Sequence, residues 1–273
     1  MTRRTTITDP ADPRLDDIRD LKHSDTKKDL VFAEGPLVCG RLVESRFPVR
    51  SVIGFGGRLD SFLADFGAQL PPGVPVYEVT RELLGSVAGY DMHRGLLAVG
   101  ERPAPLSVAE VIEGARTVVV LEGVGDHENI GSIFRNAAGM GVDGVLFGAA
   151  TADPLYRRSV RVSMGHALRT PFAHLDGTST TWQRSLEQLR DEGWWLVSLT
   201  PADGAVHIKD ALAGRENDKV ALLVGAEGPG LTEHAMRATD VRAKIPMAEG
   251  TDSLNVATSA AVAFYERARQ AGA

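Results

Sequence analysis

Downstream of residue 116 the chain carries five short apolar runs, at 117–121, 144–147, 194–199, 220–224 and 243–246. The first contains Val118, Val119, Val120 and Leu121 with no polar residue between them. A strand with one wet face alternates apolar and polar side chains, whereas an unbroken apolar strand must be covered on both faces. Helix-like segments at 130–140, 182–192, 232–237 and 253–268 alternate with these runs and supply the covering layers. The expected fold is therefore α/β, with a parallel sheet between helices. Ligands of such sheets bind beyond the carboxyl ends of the strands, so the loops that follow the strands are where chemistry is sought.

The upstream half also alternates. Strand-like runs at 29–33, 49–55, 74–79 and 95–99 are interleaved with helix-like segments at 35–45 and 59–66, and Thr80 is placed to cap a further helix through Val87. Pro103 and Pro105 interrupt the pattern, since each removes a backbone donor and disfavours helix. The expected organisation is an N-terminal α/β domain over 1–101, with 1–14 flexible, a linker over 102–116 and a second domain over 117–273.

Charge argues against nucleic acid as a partner of the chain as a whole: 36 acidic residues face 30 Lys and Arg, for a net charge of −6. Phosphate contacts need cations, so any such surface must be local. Arg157, Arg158, Arg161 and Arg169 make one cluster, Lys27 and Lys28 a second, His93 and Arg94 a third. Each alone reads equally as a solvated face. The single cysteine, Cys39, excludes an intramolecular disulfide and fits a reducing cytoplasm. The polar N-terminus lacks the apolar core of a signal peptide, and no apolar run approaches the roughly 20 residues of a membrane span. No Cys/His cluster offers a metal site.

Three loops after strands stand out. Residues 122–131 lead into a helix that carries Asn129 near its start and Arg135 six residues later. Residues 225–231 form a Gly-rich turn, Gly225-Ala226-Glu227-Gly228-Pro229-Gly230-Leu231, with a carboxylate inside it. That carboxylate would repel a pyrophosphate and suits a ligand with a cationic centre and no phosphate; a helix-capping Glu227 is the other reading. Residues 245–256 end on Ser253-Leu254-Asn255, which serve equally as helix caps or as side chains presented to a ligand. The first βα turn of neither half carries the G-x-G-x-x-G of a nicotinamide-binding fold.

Taken in order, Asn129 with Arg135, the 225–231 turn, and Ile245-Pro246-Met247 followed by Ser253-Leu254-Asn255-Val256 resemble the three motifs of the SpoU/TrmH branch of the SPOUT RNA methyltransferases. Arg161-Val162-Ser163-Met164-Gly165 is similar to an R-x-S-x-G-A element of the same family, with His166 inserted before Ala167. The first motif departs from the family by Glu128, where Pro or His usually precedes the Asn. Upstream, Phe32-Ala33-Glu34-Gly35-Pro36 and the run from His93 to Ala98 resemble the L30e-like substrate domain that many members carry.

The resemblance implies a C-terminal SPOUT domain with a trefoil knot, S-adenosylmethionine as cofactor, a homodimer, and methyl transfer to a ribose 2′-hydroxyl of RNA, 23S ribosomal RNA first and transfer RNA as the alternative. A non-catalytic RNA-binding protein of the same fold is the rival, though Arg135, Glu227 and Asn255 are all present. Catalytic roles fall on Arg135, Asn129, Glu227, Ser253 and Asn255. Cofactor contacts fall on Thr200, Gly225, Ala226, Glu227, Gly228, Ile245, Met247, Ser253, Leu254 and Asn255, and RNA contacts on Arg157, Arg158, Arg169, Lys27, Lys28 and Arg94. Arg135 is expected to hold a phosphate and to stabilise developing oxyanion charge rather than to act as a base, because a guanidinium keeps its proton.

Overall fold

The computed structural model describes residues 4–22, 29–248, 250 and 253–272. Lys27 and Lys28 lie outside the described residues. The chain forms two compact units, Met1–Ala104 joined by Leu155–Arg169, and Pro105–Pro154 joined by Thr170–Ala273.

The first unit is built on a five-stranded sheet in the order β1-β4-β3-β5-β2. Its strands are β1 (Arg4–Thr6), β2 (Leu30–Glu34), β3 (Val49–Gly54), β4 (Val76–Glu78) and β5 (Leu96–Glu101), with helices α1 (Pro36–Val43), α2 (Gly56–Phe66) and α3 (Arg81–Ala88). β1, β4 and β3 run parallel, and β5 pairs antiparallel with both β3 and β2. Thr80 caps α3 as its position predicts, accepting from the Leu83 amide at 3.1 Å. The segment expected to be flexible over 1–14 instead holds an edge strand. Arg4 pairs with Asp60 and Glu78 at 2.5 Å each, and Ile7 is buried. A lone apolar anchor in a polar segment has no periodicity to announce it.

The second unit is built on a seven-stranded sheet, ordered β10-β12-β9-β11-β6-β7-β8, in which every pairing is parallel. It begins with α4 (Val108–Ile112), β6 (Thr117–Glu122), α5 (His127–Gly139) and β7 (Gly144–Phe147). After β7, residues 155–169, with α6 (Arg157–Val162), group with the first unit. The chain then returns through β8 (Phe172–His174), α7 (Arg184–Asp191), β9 (Trp194–Leu199), β10 (Val206–His207) and α8 (Ile208–Ala211). It closes with β11 (Lys219–Gly225), α9 (Glu233–Arg237), β12 (Val241–Lys244) and α10 (Val256–Gln270). All of β6 is buried, as its unbroken apolar run demands. The α/β class and the covered parallel sheet match the expectation; β8 and β10, too short to show a pattern, were not foreseen.

α6 packs on β2 through a buried ion pair. Arg157 Nη1 donates to Glu34 Oε1 at 2.8 Å, and the two side chains are only 15% and 6% exposed. The Tyr90 hydroxyl donates to the same oxygen at 3.0 Å, and the guanidinium lies 4.4 Å from the centre of the Tyr90 ring. Removing one partner of a buried pair strands the other charge without water. Arg157→Ala is expected to cost about 3–5 kcal/mol in urea denaturation. The double variant Glu34→Gln/Arg157→Met, which removes both charges and keeps an acceptor for Tyr90, is expected to cost much less.

Candidate functional site

Parallel strands bring their carboxyl ends to one edge of the sheet, and β12, β9, β11 and β6 are consecutive neighbours there. The chain leaves β9 at Thr200, β11 at Gly225 and β12 at Ile245, so these exits must lie side by side. Between them is a cleft of about 720 Å³, including its open mouth. Its walls are Leu199, Thr200, Pro201, Val224, Gly225, Ala226, Glu227, Gly228, Gly230, Ala243, Ile245, Met247, Ser253, Leu254, Val256 and Ser259.

The 225–231 turn folds back tightly on itself. The Gly230 amide donates to the Ala226 carbonyl at 2.9 Å. A Cβ on Gly225 would fall 2.2 Å from the backbone of Gly230 and Leu231, so no other residue fits at that position. Gly228 sits at φ +86°, in the left-handed region that a side chain disfavours. The turn therefore presents backbone to the cleft, and Glu227 lines it as well.

Glu227 is met by two amides. Asn129 Nδ2 donates to Glu227 Oε1 at 3.2 Å, and Asn255 Nδ2 donates both to Asn129 Oδ1 at 2.8 Å and to Glu227 Oε1. The three residues come from the three loops singled out in the sequence. Asn255 is also the N-cap of α10: its Oδ1 accepts from the amides of Ala257 and Thr258 at 3.0 and 3.2 Å. One end of its amide thus caps the helix, as one of the two readings expected, and the other end meets Asn129 and Glu227. That is also why the helix begins at Val256 rather than at 253. α5 is fixed in the same manner by Asp126, whose Oδ1 accepts from Glu128 and Asn129 at 2.6 and 3.1 Å. Asn136 ties the two helices together by donating to the Ala257 carbonyl at 3.1 Å.

Of the residues expected to hold a cofactor, all but Asn255 line the cleft, and Asn255 reaches it through Glu227. Val256, quoted in the third motif, lines it too, and Leu199, Pro201, Val224, Ala243 and Ser259 also line it but went unnoticed in the sequence. Those on β9, β11 and β12 are ordinary strand residues that only their neighbours turn into walls. Arg135 is not part of the cleft wall. It is exposed on α5, roughly 9 Å along the helix axis from Asn129 at 1.5 Å per residue.

The candidate RNA contacts Arg94, Arg158 and Arg169 are exposed and belong to the first unit. Arg169 lies 3.7 Å from Glu44. Arg157, expected beside them, is already committed to Glu34 and Tyr90, and its burial removes it as a free phosphate ligand. Among the described residues no group of His, Cys, Asp and Glu could hold a metal ion, and no helix is long and apolar enough to cross a membrane.

The double duty of Asn255 has a measurable consequence. Asn255→Ala should lower stability by about 1 kcal/mol in thermal or urea unfolding, the usual cost of a lost N-cap. Asn255→Asp keeps the capping oxygen but sets a second carboxylate against Glu227. It should restore part of the lost capping stability in the same unfolding experiment but fall short of wild type.

Residues 116–265 match the model of the SpoU rRNA methylase family. A protein of Mycobacterium bovis described as an uncharacterized tRNA/rRNA methyltransferase is 50% identical over 269 residues, 96% of this chain and 91% of that one. The 23S rRNA (guanosine-2′-O-)-methyltransferase RlmB of Bordetella pertussis is 30% identical over 88% of this chain and 97% of its own. Among solved structures, an AdoMet-bound rRNA methyltransferase from Sinorhizobium meliloti superposes with a TM-score of 0.80 at 25% identity, covering 97% of this chain and 98% of that one. With two of the motif loops lining one cleft on the carboxyl edge of a parallel sheet, and the third joined to it by the hydrogen bond from Asn129 to Glu227, the chain belongs to the SpoU rRNA methylase family.

Proposed function

We propose that this protein transfers a methyl group from S-adenosylmethionine to a ribose 2′-hydroxyl of RNA, with 23S ribosomal RNA as the substrate. The observation that carries this reading is the composition of the cleft. Among the described residues, its walls are apolar side chains, glycines and hydroxyls with one carboxylate, Glu227, and without a Lys, Arg or His. A nucleotide cofactor with a pyrophosphate would find no cation there, whereas an adenosine bearing a positive sulfonium suits both the apolar walls and the carboxylate. The named relatives support the acceptor: the Bordetella protein is a 23S rRNA 2′-O-methyltransferase and the Sinorhizobium structure holds AdoMet.

Thr200, Gly225, Ala226, Gly228, Ile245, Met247, Ser253 and Leu254 would hold the cofactor. When bound, S-adenosylmethionine supplies an electrophilic methyl group. The chain's own part is to present the acceptor. Asn129, Glu227 and Asn255 form a fixed polar rim at the cleft, and Arg135 stands nearby on the same helix as Asn129. A guanidinium keeps its proton, so Arg135 holds the phosphate beside the acceptor ribose and stabilises charge developing on the 2′-oxygen. The first unit, with Arg94, Arg158 and Arg169, binds RNA as the L30e-like domain of the family does. The family's trefoil knot and homodimer go with this reading. Tyr265, 61% exposed on α10, fits a face that meets a second copy.

Calorimetry should show S-adenosylmethionine binding to the full chain and no binding of NAD. Mass-spectrometric mapping of ribose methylation in ribosomal and transfer RNA from a deletion strain should find one 2′-O-methyl group missing from 23S rRNA. Loss from transfer RNA alone would overturn the assigned substrate. Arg135→Ala should leave cofactor affinity unchanged and cut turnover by about 10²–10³-fold, the usual cost of one lost transition-state charge contact. Arg135→Lys should also be poor, because a point charge does not replace a planar fork.

RNA affinity should fall steeply with salt despite the acidic chain. Arg158→Gln/Arg169→Gln should flatten the plot of log affinity against log salt by about 1.4–1.8, or 0.7–0.9 for each phosphate contact removed. S-adenosylmethionine affinity should not change. An unaltered slope would move the RNA surface away from these two residues.

A further inference from the structure

Glu122 ends β6 and is 5% exposed, yet it takes no part in the site as described above. Its carboxylate accepts from neutral donors alone among the described residues. The Thr232 amide donates to Oε2 at 2.7 Å, the Thr232 hydroxyl to Oε1 at 2.9 Å, and the Trp182 indole N–H to Oε1 at 3.1 Å. A buried carboxylate with no cation beside it is costly and would not be kept for stability alone. What it touches gives the reason. In the strand register Glu122 lies opposite Gly225, the residue that opens the 225–231 turn. Thr232, the residue that follows this turn, is the N-cap of α9, and its hydroxyl also accepts from the Ala235 amide at 3.2 Å. One carboxylate therefore stands beside the first residue of the turn and grips the residue after its last.

We propose that Glu122 is a positioning residue for the cofactor turn, holding residues 226–231 in the shape that presents Ala226, Gly228 and Gly230 to the cleft. The role rests on the reading of that cleft as the S-adenosylmethionine site. The chemistry requires a carboxylate and not merely a polar side chain. An amide at this position has one oxygen and one NH₂ group. If the oxygen takes the place of Oε1, the NH₂ faces the Thr232 N–H; if it takes the place of Oε2, the NH₂ faces the indole N–H. Either way a buried donor is set against a donor: in the first orientation the Thr232 amide loses its acceptor, and in the second the indole N–H pushes the side chain away from the place where it grips Thr232.

The test uses the full chain and two readouts. Hydrogen exchange of the peptide spanning 226–232, measured without ligand, should speed up in Glu122→Gln while exchange elsewhere in the sheet stays unchanged. Calorimetry should show S-adenosylmethionine affinity falling by about tenfold or more, the equivalent of one unsatisfied buried donor. The effect should appear in KM for S-adenosylmethionine, with kcat at saturation within about threefold, since the reacting groups are untouched. Thr232→Ser keeps both ties and should bind within about twofold of wild type, whereas Thr232→Val loses the hydroxyl tie and should be several-fold weaker. If Glu122→Gln lacks a cooperative thermal transition, the Ser and Val pair decides. Equal affinities for wild type and Glu122→Gln, or for the Ser and Val variants, would overturn the role of Glu122 and leave the functional reading standing. Failure of the wild-type chain to bind S-adenosylmethionine would overturn the functional reading, and the cofactor role of Glu122 with it.

Discussion

β11 lies between β6 and β9 and pairs in parallel with both, from Val220 opposite Thr117 to Gly225 opposite Glu122 on one side and from Lys219 opposite Trp194 on the other. Because all the strands point the same way, every loop that carries chemistry has to leave from one edge. Residues as distant in sequence as Leu199 and Ser259 become walls of one cleft for that reason. The burial of β6 and β11 on both faces makes this pairing insensitive to what happens at the surface. A one-residue slip would not exchange a wet face for a dry one here, as it would in a half-exposed sheet. It would instead misplace Gly225, whose fit against Gly230 and Leu231 tolerates no side chain.

The polar part of the site depends on helix starts. Asp126 and Asn255 each satisfy backbone amides at the head of a long helix, α5 and α10, and the same turns carry the amides that hold Glu227. A functional group borne on a capped helix end inherits the rigidity of the helix. At its other end α10 is anchored by Arg267, which is 3% exposed and donates to the carbonyls of Arg215 and Asp218 and to the Thr117 hydroxyl. Asn136 joins α5 to α10 between these points. The rim of Asn129, Glu227 and Asn255 is therefore closed by side-chain hydrogen bonds, two of whose members stand on helix starts fixed by their caps.

Arg157 and Arg158 show how little residue type decides on its own. They are adjacent at the start of α6, and one is sequestered by Glu34 and Tyr90 while the other is exposed. In a cluster of four arginines the sequence offers no sign of which becomes a buried structural cation and which stays at the surface, because the discriminating partner lies more than a hundred residues away on β2.

The sequence by itself determined the parallel α/β class, the places of β7 and β9 to the residue, the Thr80 cap and the three loops whose residues Asn129, Glu227 and Asn255 come together. All of these follow from local signals: unbroken apolar runs, capping residues, and glycines where a turn needs them. Tertiary structure alone decided the rest. It recruited residues 4–7 as an edge strand and buried anchors, which needed β4 to pair with, and it drew residues 155–169 into the first unit through an ion pair formed at long range. It also turned Asn255 into cap and site residue at once, and Glu122 from the last residue of an apolar strand into the holder of a turn. In each case the deciding partner is distant in the chain, and a hydrogen bond or a burial that closes only on folding leaves no periodicity for a sequence to display.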